Sequence, residues 1–186
     1  MTSPRIIAGK AKGLRIKSVP GDSTRPITDQ VKEALFNIIG LDIEGSFMLD
    51  LFGGTGSVGI EALSRGANFV QFVDCNHNAF KTIKTNLEFT KLNEFSKVTL
   101  ADAFVYLKKK PNLEFDYVYI APPQYKNLWK RALIDIDNNS GWLKNDSWVI
   151  VQIHPIEYEK MELTHLQEFE QRRYGSTMLI FFEVKD

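Results

Sequence analysis

The chain is poor in cysteine: Cys75 is the only one in 186 residues. That excludes a disulfide framework within the chain and any site that needs several thiolates, and a lone thiol fits a reducing compartment. Histidine is nearly as scarce. His77, His154 and His165 are scattered with no pair at metal-ligand spacing, so no metal site is expected. No apolar run is long enough to cross a membrane and none has the form of a secretory leader, which makes a cytoplasmic setting the expectation. An excess of one charge is also missing. Lys+Arg and Asp+Glu stand at 23 each and the pI is near 6.8, so nothing global marks a nucleic-acid binder. Internal repeats and low-complexity linkers are absent.

What is present is enough for a packed core. Hydrophobic residues make up 44% and charged residues 25%, in a length that suits one domain with a small appendage. The charge is locally uneven. Arg5, Lys10, Lys12, Arg15 and Lys17 fall in one short stretch without an acid, on two β-like runs around Gly9-Lys10-Ala11-Lys12-Gly13 that read as a ribbon. These cations are either a solvated surface or, grouped on a two-stranded arm, contacts for phosphates.

From Thr28 or Asp29, either of which can cap a helix, "QVKEALFNII" has helical spacing and stops at Gly40. Strand-like and helix-like segments then alternate: "FMLDLF", "SVGIEALSRG", "NFVQFVD", "NAFKTIKTNLEFTKL", "KVTLA", "AFVYLKKK", "FDYVYI", "NLWKRALIDI" and "SWVIVQI". Such alternation predicts right-handed crossovers and a mainly parallel sheet covered on both faces. "LQEFEQRRYG" and "TMLIFFEV" have no helix between them, so they are expected to close the sheet as an antiparallel edge hairpin. Trp129, Trp142 and Trp148 read as core, and "LKKKPN" as a solvated helix end.

The glycine turn in "LDLFGGTGSVGIEAL" carries the most chemistry. Gly54-x-Gly56-x-x-Gly59 joins a strand to a helix, where glycine lets backbone approach a ligand. Asp74 ends the next strand about 20 residues on, the spacing of a ribose-gripping acid, and so far a nicotinamide dehydrogenase fits. Asp50 points elsewhere. Three residues before Gly53, it places a carboxylate where a pyrophosphate would have to sit. With Asp102-Ala103 at the third strand end, it suits a cation-bearing ligand without phosphates, such as S-adenosylmethionine. The competing reading is that Asp50 and Asp102 only cap the following helices. Cys75, next to Asp74, reads as a pocket wall or core thiol and not as a nucleophile. In "YVYIAPPQYKNLW", Pro122-Pro123 makes a rigid corner after a strand, either a plain strand stop or a mount for backbone carbonyls at a ligand.

In this order the segments resemble the class I methyltransferases, and within them the RsmD-like enzymes that methylate the N2 amine of a guanine in small-subunit ribosomal RNA. "RIIAGKAKGLRI" looks like that family's basic ribbon, "RPITDQVKEALFNII" like its first helical segment, "LDLFGGTGSVGIEALSRGA" like its cofactor loop, "FVDCN" like its ribose strand end and "YGSTMLIFFE" like its closing strands. The resemblance implies a Rossmann-like α/β domain over 25–186, with seven strands and helices on both faces, behind a β-ribbon extension over 1–24. It implies S-adenosylmethionine as cofactor. Asp50 and the backbone of Phe52, Gly53, Gly54 and Gly56 would hold the methionine part, Asp74 with Cys75 beside it the ribose, and Asp102 with Ala103 the adenine. Arg25, Pro26 and Thr28 match a segment that closes over the cofactor. Arg5, Lys10, Lys12, Arg15, Lys17 and Tyr125 would contact the RNA of a small ribosomal subunit, assembled or assembling.

The resemblance also places the reaction site at Ala121-Pro122-Pro123-Gln124, where the family pattern is Asp/Asn-Pro-Pro-Tyr/Phe. Ala121 supplies no side-chain acceptor for the amine. The Pro122 carbonyl remains, Gln124 has an amide oxygen, and Tyr125 stands one position late for stacking. The expectation is a working variant site. The alternatives are a catalytically weak or inactive protein that binds cofactor and ribosome and, from another class, an NAD-dependent oxidoreductase.

Overall fold

The computed structural model describes residues 3–21 and 27–185. Strands β1 (Phe47–Asp50), β2 (Phe69–Asp74), β3 (Ser96–Leu100), β4 (Phe115–Ile120), β5 (Leu143–Ile153), β6 (Leu166–Tyr174) and β7 (Thr177–Val184) form one sheet in the order β3-β2-β1-β4-β5-β7-β6. The first five are parallel, and β7 runs antiparallel to both β5 and β6, as the missing helix between the last two strands requires. The strand order reverses beside β1, so a crevice opens outside the carboxyl ends of β1 and β4, where ligands bind in open α/β sheets.

Side chains alternate between two cores because helices cover both faces. On one face Met48, Phe72, Tyr117, Tyr119 and Phe181 pack with α1 (Asp29–Ile39), α2 (Ser57–Ser64) and α3 (His77–Thr90). On the other, Leu49, Val73, Val118, Val151 and Phe182 pack with α4 (Ala103–Leu107), α5 (Leu128–Asn138) and Trp142. Each fully buried large side chain contributes roughly 1.5–3 kcal/mol through removal of apolar surface from water. Trp129 and Trp142 are among them, whereas Trp148 is only partly buried, against Phe169 and Phe181. Lys108, Lys109 and Lys110 are exposed at the end of α4.

The N-terminal segment is less of a ribbon than its sequence suggests. Arg5 and Arg15 form one isolated antiparallel bridge, and the turn between them is closed by Ile6 N–H to Leu14 O (2.9 Å) and Gly13 N–H to Ile6 O (2.8 Å). It packs on the outside of α2, and Ile6, Ala11 and Ile16 join the first core. This explains why α2 buries all of its residues and has no solvent face. Gly9 has φ +79°, and a Cβ there would meet the Ser64 carbonyl oxygen at 1.7 Å, so the turn lies directly against the end of the helix. The expected boundary after residue 24 falls within 22–26, outside the described residues.

One carboxylate anchors this packing. Glu61, fully buried on α2, accepts from Ile7 N–H (2.7 Å) and Ala8 N–H (3.0 Å) and pairs with Arg65 (2.8 Å) and Lys32 (3.6 Å). The Lys32 ammonium, fully buried on α1, also donates to Arg5 O (2.6 Å) and Ser57 Oγ (2.8 Å). Burial holds its pKa below the ordinary lysine value, against the pull of Glu61.

Candidate active site

Both the glycine turn and the proline corner open onto the crevice at the strand reversal, one following β1 and the other β4. In the turn, Gly54 and Gly56 take left-handed φ values of +55° and +78°, and Gly56 is the N-cap of α2 with no side chain to offer. Gly59 serves packing instead, since a Cβ there would come within 2.3 Å of the Phe72 ring. Gly53 donates to Val73 O (3.0 Å) and lies so close to Ile83 that a Cβ would meet it at 2.7 Å. Phe52 sets its ring edge-on to Phe104. From outside, Asn86 on α3 steadies the turn by donating to Thr55 O (2.9 Å).

The three acids are placed differently. Asp50 is 2% exposed and its carboxylate accepts from Gly59 N–H at 3.3 Å, so it caps α2 across the turn. Burial pushes its pKa up to about 8, only partly offset by that hydrogen bond and reinforced by the Asp74 charge. Asp74 is half-buried: one oxygen accepts from Gly54 N–H (2.9 Å) and the other from Asn76 N–H (2.8 Å), leaving lone pairs on both for a diol. Asp102 is exposed and uses one oxygen to cap α4, accepting from Phe104 and Val105 N–H (2.9 and 3.0 Å), with Ala103 buried behind it. Capping therefore accounts for part of what Asp50 and Asp102 do, and each keeps a second oxygen. Cys75 is exposed rather than a core thiol. Partial desolvation and the nearby Asp74 and Asp102 charges push its thiol pKa up, away from nucleophilic duty.

Ala121 packs against the first core and Pro122 is partly buried. Beyond the exposed Pro123, two non-glycine residues, Tyr125 (φ 62°) and Asn127 (φ 53°), take left-handed conformations. Asn adopts this conformation readily, but for Tyr125 it persists only where surroundings enforce it, and here they do. Tyr125 N–H donates to Glu157 (2.8 Å), whose other oxygen accepts from His154 N–H (3.3 Å), while His154 Nδ1 accepts from Ile156 N–H (3.2 Å). The Tyr125 ring, 66% exposed, lies 5.8 Å from that of His154. Gln124 borders a cavity of about 240 Å³ together with Thr28, Gln152 and the Tyr174–Thr177 turn. Thr28 itself caps α1 through Oγ1. Arg25 and Pro26 lie outside the described residues.

Of the basic residues, Lys10, Lys12, Arg15 and Lys17 are exposed, Lys10 resting over the Phe95 ring (5.8 Å). Arg5 is exposed too and pairs with Asp29 (3.3 Å). Tyr119, Gln152, Glu157 and His154 also border this site, and of these the sequence points only to His154, as one of three scattered histidines. For the last two a further signal exists: His-Pro-x-Glu has the spacing of a capping box, which the turn forms.

A family model described as "Conserved hypothetical protein 95" matches residues 4–183. YlbH of Bacillus subtilis is 36% identical over 182 residues, which is 96% of this chain and 98% of that protein. The ribosomal RNA small subunit methyltransferase D of Haemophilus influenzae is 36% identical over 150 residues, 80% of this chain and 77% of that one. Among solved structures, the yhhF protein of Escherichia coli matches with a TM-score of 0.86 at 26% identity, covering 98% of both chains. With the strand order, the glycine turn and the family model in agreement over nearly its whole length, the chain belongs to the Conserved hypothetical protein 95 family, the RsmD-like class I methyltransferases.

Proposed function

We propose that this protein methylates the N2 amine of a guanine in small-subunit ribosomal RNA, in the cytoplasm, with S-adenosylmethionine as donor. The observation that carries this reading is Asp50, a buried carboxyl at the crevice with a single backbone donor and a pKa near 8. A pyrophosphate would keep Asp50 protonated and find no counter-charge in it, which disfavours a nicotinamide cofactor. An ammonium is attracted, and its approach draws the proton off Asp50. The acids and backbone amides of the crevice thus fit S-adenosylmethionine, whose sulfonium supplies an electrophilic methyl group. Asp50 and the 52–56 backbone would hold its amino-acid end, Asp74 the ribose and Asp102 the adenine. The relative named for methylation of small-subunit ribosomal RNA supports the substrate class.

The chain's own part is positioning. An exocyclic guanine amine is a poor nucleophile because its lone pair is delocalised into the ring, and acceptors for its two N–H bonds aim that lone pair at the methyl carbon. The Pro122 carbonyl and the Gln124 amide oxygen fill these roles, Tyr125 offers a stacking face, and the amine's proton leaves once the new N–C bond has formed. Replacement of Gln124 by Ala is expected to lower kcat roughly 10- to 100-fold, the loss of one hydrogen bond to a reacting group, with cofactor affinity unchanged. Unaltered turnover removes the glutamine's role.

Lys10, Lys12, Arg15 and Lys17 give the packed N-terminal turn a cationic outer surface for phosphates. Replacing both Lys10 and Lys12 by Glu is expected to weaken RNA binding and to reduce the slope of log K against log salt by about two. Equal binding by that variant removes RNA from this surface. A protein that binds cofactor and ribosome without turnover is favoured by one observation, the missing acceptor at Ala121. Calorimetry with S-adenosylmethionine and with NAD, followed by a turnover assay on small-subunit RNA and particles, separates the readings. Binding of the first alone, with turnover, is expected; NAD binding, or cofactor binding without methylation of either substrate, overturns the proposal.

A further inference from the structure

Beside the proline corner, a fully buried tyrosine fixes the orientation of a cavity-lining amide. Tyr119 on β4 and Gln152 near the end of β5 are on neighbouring strands and share the face toward α1. The Tyr119 hydroxyl donates to Gln152 Oε1 at 2.5 Å. Burial, then the nearby Asp50, holds the phenol well above its ordinary pKa, so it stays a donor throughout the physiological range. In the structure it is the oxygen end of the amide that meets this hydroxyl. The oxygen is engaged below, and the Gln152 NH2 is left for the cavity that Gln152 shares with Gln124, Thr28 and Ser176. At about 240 Å³ this cavity falls below the ~300–1,000 Å³ of sites that take whole small molecules, and it suits a single base.

We propose that Gln152, oriented by Tyr119, is a specificity-determining residue that donates to O6 of the target guanine. Guanine carries O6, an acceptor, and the N2 amine at opposite ends of one edge, whereas adenine carries a donating N6 amine where guanine has O6. Gln124 as acceptor for N2 and Gln152 as donor to O6 read both ends of that edge across one cavity. An adenine-type amine would meet the Gln152 NH2 donor to donor. The inference rests on the methyl-transfer reading above and adds to it the residue that selects the base.

The test uses small-subunit RNA in which the methylated position, first mapped by mass spectrometry, carries either guanine or 2,6-diaminopurine. The analogue keeps the N2 amine and replaces O6 with an amine. Naked RNA and assembled particles are both assayed with the full chain, and kcat/KM is compared. Wild type is expected to prefer guanine by at least about tenfold, since a site built to bond one group rejects an analogue that cannot answer it. Gln152→Leu should lose most of its rate on guanine and bring the two substrates within about threefold of each other. Gln152→Glu, which presents only acceptors when ionised, should favour the analogue. Tyr119→Phe keeps the fold's shape, frees the amide to turn over and should narrow the preference, with S-adenosylmethionine affinity retained. A Gln152→Leu or Tyr119→Phe enzyme that still prefers guanine as strongly as wild type overturns this inference and leaves the methyl-transfer reading standing. A wild-type enzyme that methylates neither RNA overturns both.

Discussion

Replacing Asp50 by Asn is expected to weaken S-adenosylmethionine binding by roughly 30- to 4,000-fold, because removing one partner of a buried hydrogen-bonded charge pair costs about 2–5 kcal/mol and each 1.4 kcal/mol is tenfold. The same change should make the empty protein more stable at neutral and mildly alkaline pH. A carboxyl whose folded pKa lies near 8 binds its proton more tightly folded than unfolded, where its value is about 3.9. Its contribution is therefore fully present below about pH 4 and is lost as pH rises through about 8. Asn carries no such dependence. Thermal unfolding of the two empty proteins should show Asp50→Asn gaining on wild type as pH rises from 5 to 8. Wild-type cofactor affinity should climb over the same range, since binding the ammonium releases the Asp50 proton, while the variant's stays flat. Tight, pH-independent binding by the variant would exclude Asp50 from the cofactor site.

The second large effect lies away from the crevice. Glu61→Ala removes the acceptor of Ile7 and Ala8 N–H and leaves the Lys32 ammonium buried without its carboxylate. Breaking a buried pair from one side costs about 3–5 kcal/mol, a large share of a typical domain's stability. Urea unfolding should show that loss, and trypsin should cut earlier at Arg15 and Lys17 as the N-terminal turn comes away from α2. Replacing Lys32 by Met and Glu61 by Leu together should recover only part of it. The apolar pair removes both buried charges, but the two backbone N–H groups still lack an acceptor. Full recovery would mean that the backbone donors contribute nothing to the anchoring.

Much of the fold is legible in the sequence because parallel strands buried on two faces are apolar at nearly every position. "FVQFVD" and "FDYVYI" are such runs, and the absence of a helix between "LQEFEQRRYG" and "TMLIFFEV" leaves only a hairpin. The glycine turn is legible for the same local reason, since its φ values belong to its own residues. Long-range polar contacts are another matter. Nothing near Glu61 in the sequence says that its two backbone partners lie more than fifty residues earlier, so the basic segment looks like a free two-stranded ribbon when it is a turn bonded to a helix. The pKa of Asp50 depends on burial, which the motif does not encode. Asp102 caps α4 because it precedes a short helix that needs an acceptor, a local cause that holds whether or not a ligand also meets the acid. Tyr119 and Gln152 meet across strands 33 residues apart, and each alone looks like an ordinary strand residue.

The central claim is chemical and has a direct readout. Ribosomal RNA from cells with and without this protein, digested to nucleosides and resolved by mass spectrometry, should differ by N2-methylguanosine in the small-subunit RNA, restored when the protein is returned. The account predicts the loss of one such methyl group, with large-subunit RNA unchanged. Identical nucleoside profiles, or a change confined to another base or another ring position, would contradict it.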